Sequence, residues 1–244
     1  MDNRWVKVFG TWLVVIIIAL GGGAWTTHSG VSRETGIIVY EIVMFAVLFL
    51  LNRFWLHQTV YLKPTERSWR LIPLNWITVV LLGQVILLLF TGSGNLALGI
   101  TMLLFVGTTE EYVFRGLLLP LASRLGHGRN QLWTGVLVSS VLFGLAHSVN
   151  ALQQPVMATI VQMLSAITIG IMLSAIYLRT GSLLFPIILH GLNDFVPAFY
   201  NGSVQETSRV VSLTEVGPIL LFLIVGAFML RKSKRSTIKN VIPQ

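Results

Sequence analysis

The chain has 244 residues, 54% of them hydrophobic and only 11% charged, against roughly 25% charged in an ordinary soluble domain. A soluble fold of this length cannot hide so much apolar surface, which leaves an all-α, polytopic membrane protein. The net charge of +8 does not imply nucleic acid, because the basic residues lie in short loops and the tail with no aromatic-interleaved basic surface. The absence of cysteine excludes disulfides, thiolate metal ligands, a cysteine nucleophile and lipidation through sulfur on this chain.

In chain order, hydropathy predicts eight apolar segments. The first, Val8 to Ala24, follows the basic Arg4 and Lys7. A basic start, an apolar run and small residues also fit a cleaved signal peptide, but a retained helix is the simpler reading. The second runs from about Gly36 to Leu51 and carries Glu41, which lies roughly 7 Å deep at 1.5 Å per residue and reads as an interfacial or helix-packing carboxylate. A basic loop over residues 52–72 leads to the third, Leu74 to Phe90, where Gln84 suits interhelical hydrogen bonding. The fourth is Leu96 to Leu121, the fifth Leu132 to Ser148, the sixth Pro155 to Leu178, the seventh Ser182 to Phe199 and the eighth Val216 to Leu230.

Eight spans place both termini on one side. Of the 17 lysines and arginines, Arg33 and Arg209 would then be outside and Arg115 within the membrane, and all the others inside. That bias is what the positive-inside rule requires of cytoplasmic termini in a multi-pass protein of the cell membrane. The basic tail from Arg231 suits anionic lipid headgroups. The chain divides into helices one to three with the basic loop (1–95), a polar-residue-bearing core (96–199) and the last helix with its tail (200–244).

Ionisable groups inside the membrane are costly and mark functional sites. Glu110, Glu111 and Arg115 fall within six residues. On a helix, Glu111 and Arg115 share a face and can pair. Glu110, about 100° round from its neighbour, points elsewhere as the carboxylate left for chemistry. His147 closes Phe143-Gly144-Leu145-Ala146-His147 in the fifth segment. His190 and Asp194 lie four apart, on one face of the seventh, with Asn193 beside them. Measured from the inner ends of their spans, Glu110, His147 and His190 are roughly 17, 22 and 12 Å deep, so three helices bring polar groups to the membrane interior.

In this order the motifs Glu110-Glu111-x-x-x-Arg115, Phe143-x-x-x-His147 and His190-x-x-x-Asp194 resemble the signature of the CAAX-protease and bacteriocin-processing family of intramembrane glutamic endopeptidases. The resemblance covers about residues 96–199. It implies that Glu110 acts as general base on a water held with His147. It further implies that His190 and the residue at 194 line an oxyanion site, with Glu111 and Arg115 structural. Because an ionised Asp cannot donate a hydrogen bond, three readings of Asp194 stand: it is protonated, it orients His190, or Asn193 supplies the donor. No cofactor or metal is expected, and the partners are a peptide or protein substrate at the membrane and the bilayer, with no nucleic acid. Rival readings are a zinc hydrolase, although His-Glu-x-x-His is absent, a non-catalytic scaffold or bacteriocin-immunity protein, and a proton-relaying transporter.

Overall fold

The computed structural model describes residues 3–64, 76–92, 94–201, 213–231 and 241–242. Eight helices are present among these residues: α1 Arg4–His28, α2 Arg33–Leu51, α3 Trp76–Thr91, α4 Leu96–Ser123, α5 Gln131–Ala146, α6 Val156–Thr180, α7 Leu184–Asn201 and α8 Leu213–Met229. Each coincides with one predicted apolar segment. The basic residues Arg67, Arg70 and Arg209 and most of the tail fall outside the described residues.

Five helical stretches are long and apolar enough to cross a membrane: Arg4–His28, Arg33–Leu56, Leu96–Ser123, Gln131–Leu152 and Val156–Thr180. The protein is therefore a multi-pass membrane protein. The apolar parts of α3 and α8, Val80–Phe90 and Val216–Met229, are shorter. In α7 the apolar run is interrupted by His190, Asn193 and Asp194. The eight predicted segments are all helical, but three do not qualify as spans by length and apolarity alone.

The helices run up and down between two ends. At one end Arg4 donates to the carbonyl of Arg124 (2.7 Å), joining the start of α1 to the residue after α4. Leu183 N donates to the Tyr61 carbonyl (2.7 Å) and Ser182 Oγ to that of Leu62 (2.7 Å), so the loop after α2 is strapped to the α6–α7 turn. Gly181, with φ 65°, terminates α6 in the left-handed conformation that glycine adopts without steric cost. At the opposite end Asn95 caps α4, accepting from Leu98 N at 2.9 Å and donating to Glu34 Oε1 of α2 at 2.7 Å. Asn95 N also donates to the Phe199 carbonyl of α7 (3.0 Å).

α4 is not a uniform helix. Two π-helical stretches, Met102–Val106 and Tyr112–Leu118, flank an α-helical turn at Gly107–Glu111. Such stretches widen the local spiral and occur chiefly at functional sites. The turn between them packs against α7 glycine to glycine. A Cβ on Gly107 would stand 3.1 Å from Gly191 Cα, and one on Gly191 would stand 2.7 Å from the Leu103 carbonyl oxygen. Small residues permit this approach, as is usual where membrane helices meet. It sets the turn bearing Glu110 and Glu111 against the turn bearing His190.

Gly191→Val should force α4 and α7 apart, at a cost on the order of 1–3 kcal/mol for overpacking. The same change at Gly21, where an added Cβ meets nothing within 4 Å, should be silent. Thermal unfolding of the two detergent-solubilised variants checks this, with a lowered midpoint expected for Gly191→Val alone.

Candidate active site

Glu111 is wholly buried, and its Oε1 is the meeting point of the site. Arg115 Nη1 donates to it from one turn below, which makes the i,i+4 pair that helical spacing predicts. His190 Nδ1 donates to the same oxygen across the α4–α7 contact at 2.9 Å. The other nitrogen of that ring, Nε2, stands 3.2 Å from Asp194 Oδ2 and 3.5 Å from Glu110 Oε2. Asp194 Oδ1 in turn accepts from Asn193 Nδ2 at 3.1 Å.

This geometry alters one expectation. Glu110 does not point away from the other charges; it faces the second nitrogen of the same histidine that Glu111 holds by the first. The helical-wheel argument places Glu110 correctly relative to Glu111, but the close approach of α7 puts His190 between them. With carboxylates near both nitrogens, His190 is placed to donate a hydrogen bond from either one. Among the described residues no group of three or more His, Asp or Glu is placed to hold a metal ion.

His147 enters from the end of α5. Its Nδ1 lies 3.0 Å from the Phe143 carbonyl oxygen, a partner that can only accept. Nδ1 therefore carries the proton, and Nε2 is left as an acceptor for a proton or a water. Its ring meets Phe143, as does that of His190, whose Nε2 approaches Glu110 and Asp194. The three predicted motifs thus converge on one place from three helices.

Phe143, at first only a motif marker, is the ring on which the site is assembled. The Arg115 guanidinium lies over its face, 4.5 Å from the centroid. The rings of His147 and His190 both meet it edge-on, at 5.0 and 5.4 Å. Gly170 of α6 leaves the room this requires, since a Cβ there would come within 3.1 Å of Arg115 Nη2.

Of the two sequence readings of Glu41, helix packing fits: α2 begins at Arg33, so Glu41 lies about a turn further from the helix end than hydropathy placed it, and the residue is 3% exposed. α2, which carries Glu41, packs against the Gly107–Glu111 turn of α4. Glu41 Oε2 has no partner among the described residues. A fourth helix therefore brings a carboxyl group to the site, and the available signal was a lone acid in an otherwise apolar run.

A family model described as "Type II CAAX prenyl endopeptidase Rce1-like" matches residues 92–196. The match contains all three motifs and overlaps the core expected over 96–199. No curated protein and no solved structure matches the chain.

Two substitutions test the assembly. Arg115→Ala strands Glu111 in the interior and should cost about 3–5 kcal/mol, read as lost folded yield in detergent. Glu41→Leu removes a buried carboxyl with an unsatisfied oxygen and should leave thermal stability unchanged or raised. Any turnover should fall at least about tenfold, the trade expected of a buried polar group kept for function.

Proposed function

We propose, from the premise that residues 92–196 form a domain of the Rce1-like type II CAAX prenyl endopeptidase family, that the protein is a membrane-embedded endopeptidase. It would cleave a peptide or membrane-associated protein with water activated by Glu110 and His147. The observation that carries this reading is the convergence of Glu110, His147, His190 and Asp194 from three helices around Phe143. The intact motifs favour catalysis over a non-catalytic scaffold, and the comparisons lend no support to a bacteriocin-immunity role.

In this reading a water lies between the Glu110 carboxylate and His147 Nε2. As its oxygen attacks the scissile carbonyl carbon, its proton passes to Glu110, with Nε2 of His147 accepting the second hydrogen bond. The negative charge that develops on the carbonyl oxygen needs donors. Asn193, whose amide already donates to Asp194, offers one. His190 Nε2 is the other, if it turns from Asp194 and Glu110 toward the oxyanion. Collapse of the tetrahedral intermediate breaks the C–N bond, and the proton held by Glu110 goes to the leaving amine. Of the three sequence-based readings of Asp194, its acceptance of bonds from both His190 and Asn193 favours an orienting role. Glu111 and Arg115 hold His190 from beneath. All eight helices would cross the membrane, with both termini on the basic, cytoplasmic side.

The direct test is Glu110→Gln, which keeps the side chain's shape but cannot take a proton. Turnover of a peptide library by the purified protein should fall by about 10²–10⁴, with membrane insertion unchanged. Full activity in the inserted variant would sink the peptidase reading. Asp194→Asn can still accept from His190 and should retain most of the activity, whereas Asp194→Ala should lose on the order of 10²–10³. An Asn variant as inactive as Ala, though folded, would instead assign Asp194 a role that requires its charge.

A further inference from the structure

Glu41 is a buried acid beside the site that the proposed hydrolysis leaves unused. It lies on α2, outside the residues 92–196 that the family model matches, so the three motifs give it no role. The residue is 3% exposed, and its Oε2 has no hydrogen-bond partner among the described residues. The ion pairs of the site, between Glu111 and Arg115 and around His190, leave Glu41 out. A carboxyl buried on those terms costs stability and is retained where it serves function.

The level of Glu41 in the bundle follows from contacts on either side of it. α2 and α4 run parallel, joined near their first turns by Asn95 Nδ2 donating to Glu34 Oε1 at 2.7 Å. Ile37 then shares a buried cluster with Leu98, Met102 and Val106 of α4. Two turns further along α2, the Phe45 ring lies 4.9 Å from that of Tyr112. Residues 37, 41 and 45 follow at intervals of four and share one face. Gly36 and Tyr40, one position back, are set against Thr26 and Gly22 of α1. Glu41 therefore sits on the α4 side of α2, at a level between the Ile37 cluster and Tyr112. The turn of α4 at that level is Gly107–Glu111, against which α2 packs.

Thr108 and Thr109 lie four and three residues before Tyr112, on its face. Of the two, Thr109 is the buried one, at 3% exposure. It is two residues from Glu111, about 200° round the helix. The two side chains thus look to opposite sides, Thr109 toward α2 and Glu111 toward His190 of α7. Glu110 stands between them, about 100° from each. π-helical stretches adjoin this turn at both ends and break the regular α-helical hydrogen-bond ladder there. Anchors from neighbouring helices then decide how Glu110 is held.

We propose that Glu41 is a positioning residue of the active site: its carboxyl hydrogen-bonds the Thr109 hydroxyl and steadies the turn that presents Glu110, from the side opposite the Glu111–His190 bond. The inference rests on the peptidase reading and deepens it by adding a residue outside the motifs. Glu41 touches neither the attacking water nor the substrate in this role. The position requires a hydrogen bond rather than a charge, so a carboxamide can supply it.

Glu41→Leu should lower kcat at least about tenfold with KM unchanged, the pattern of a lost transition-state interaction. Glu41→Gln should keep most of the turnover. A stability cycle reads the contact without a peptidase assay. Thr109→Val leaves the Glu41 carboxyl without its partner and should lower the thermal midpoint in detergent. In the Glu41→Leu background both polar groups are gone, and Thr109→Val should leave the midpoint of that background unchanged. Turnover of the double variant should match that of Glu41→Leu alone. A Glu41→Gln protein as slow as Glu41→Leu would overturn the positioning role in favour of one that needs the charge. An equal fall in midpoint on Thr109→Val in both backgrounds would overturn the bond itself. Should the wild type cleave nothing, the peptidase reading fails by itself, while the midpoints still decide whether Glu41 holds Thr109.

Discussion

A single carboxylate oxygen, Glu111 Oε1, accepts from both Arg115 and His190, and the geometry of the site follows from that shared acceptor. One bond is local to α4 and the other spans the α4–α7 contact, so the oxygen links a helical turn to a tertiary packing. Burying a carboxylate and a guanidinium is expensive unless both are well bonded. Here the cost is only partly met. Glu111 Oε2 and Arg115 Nε and Nη2 have no hydrogen-bond partner among the described residues. The Phe143 face under the guanidinium supplies a weaker, non-hydrogen-bonding contact in their place. A core optimised for stability alone would fill this space with apolar side chains. That the charges are kept is an argument that they position His190.

The division between what was legible in the sequence and what was not follows the range of the interactions. The eight helices were legible as apolar runs, and five of them are also long enough to cross a membrane. The Glu111–Arg115 and His190–Asp194 pairs were legible because i,i+4 contacts depend on the helix alone. The contact of His190 with Glu111 was not, since it joins residues 79 positions apart through the Gly107–Gly191 approach. Glycines are frequent in this chain, and none of them announces which partner it meets. The depth of Glu41 along its helix was underestimated for a simpler reason: it was counted from a start of α2 at Gly36, three residues after Arg33. The π-helical stretches left no mark that the order of apolar and polar residues along α4 could show.

The number of helices meeting at the site also bears on its precision. α4, α5 and α7 supply the motif residues, α2 supplies Glu41, and α6 supplies the gap at Gly170 that admits Arg115. Side chains presented by rigid helices and locked by their neighbours are held more tightly than side chains on loops. His147 is the exception, because it sits at the point where α5 ends and the 3₁₀ turn begins. The bond from its Nδ1 to the Phe143 carbonyl compensates, since it ties the ring back to the last regular turn of α5.

The proposed hydrolysis needs water at Glu110, and dense packing on one side of the site bounds the space that water could fill. The residues of that packing are those of α4 below Glu111 and of α6 beyond Thr168, which are without exception buried. The Glu111–Arg115 pair lies against this packed side, where both side chains are buried. Above them the carboxylates of Glu110 and Asp194 are the groups with appreciable exposure.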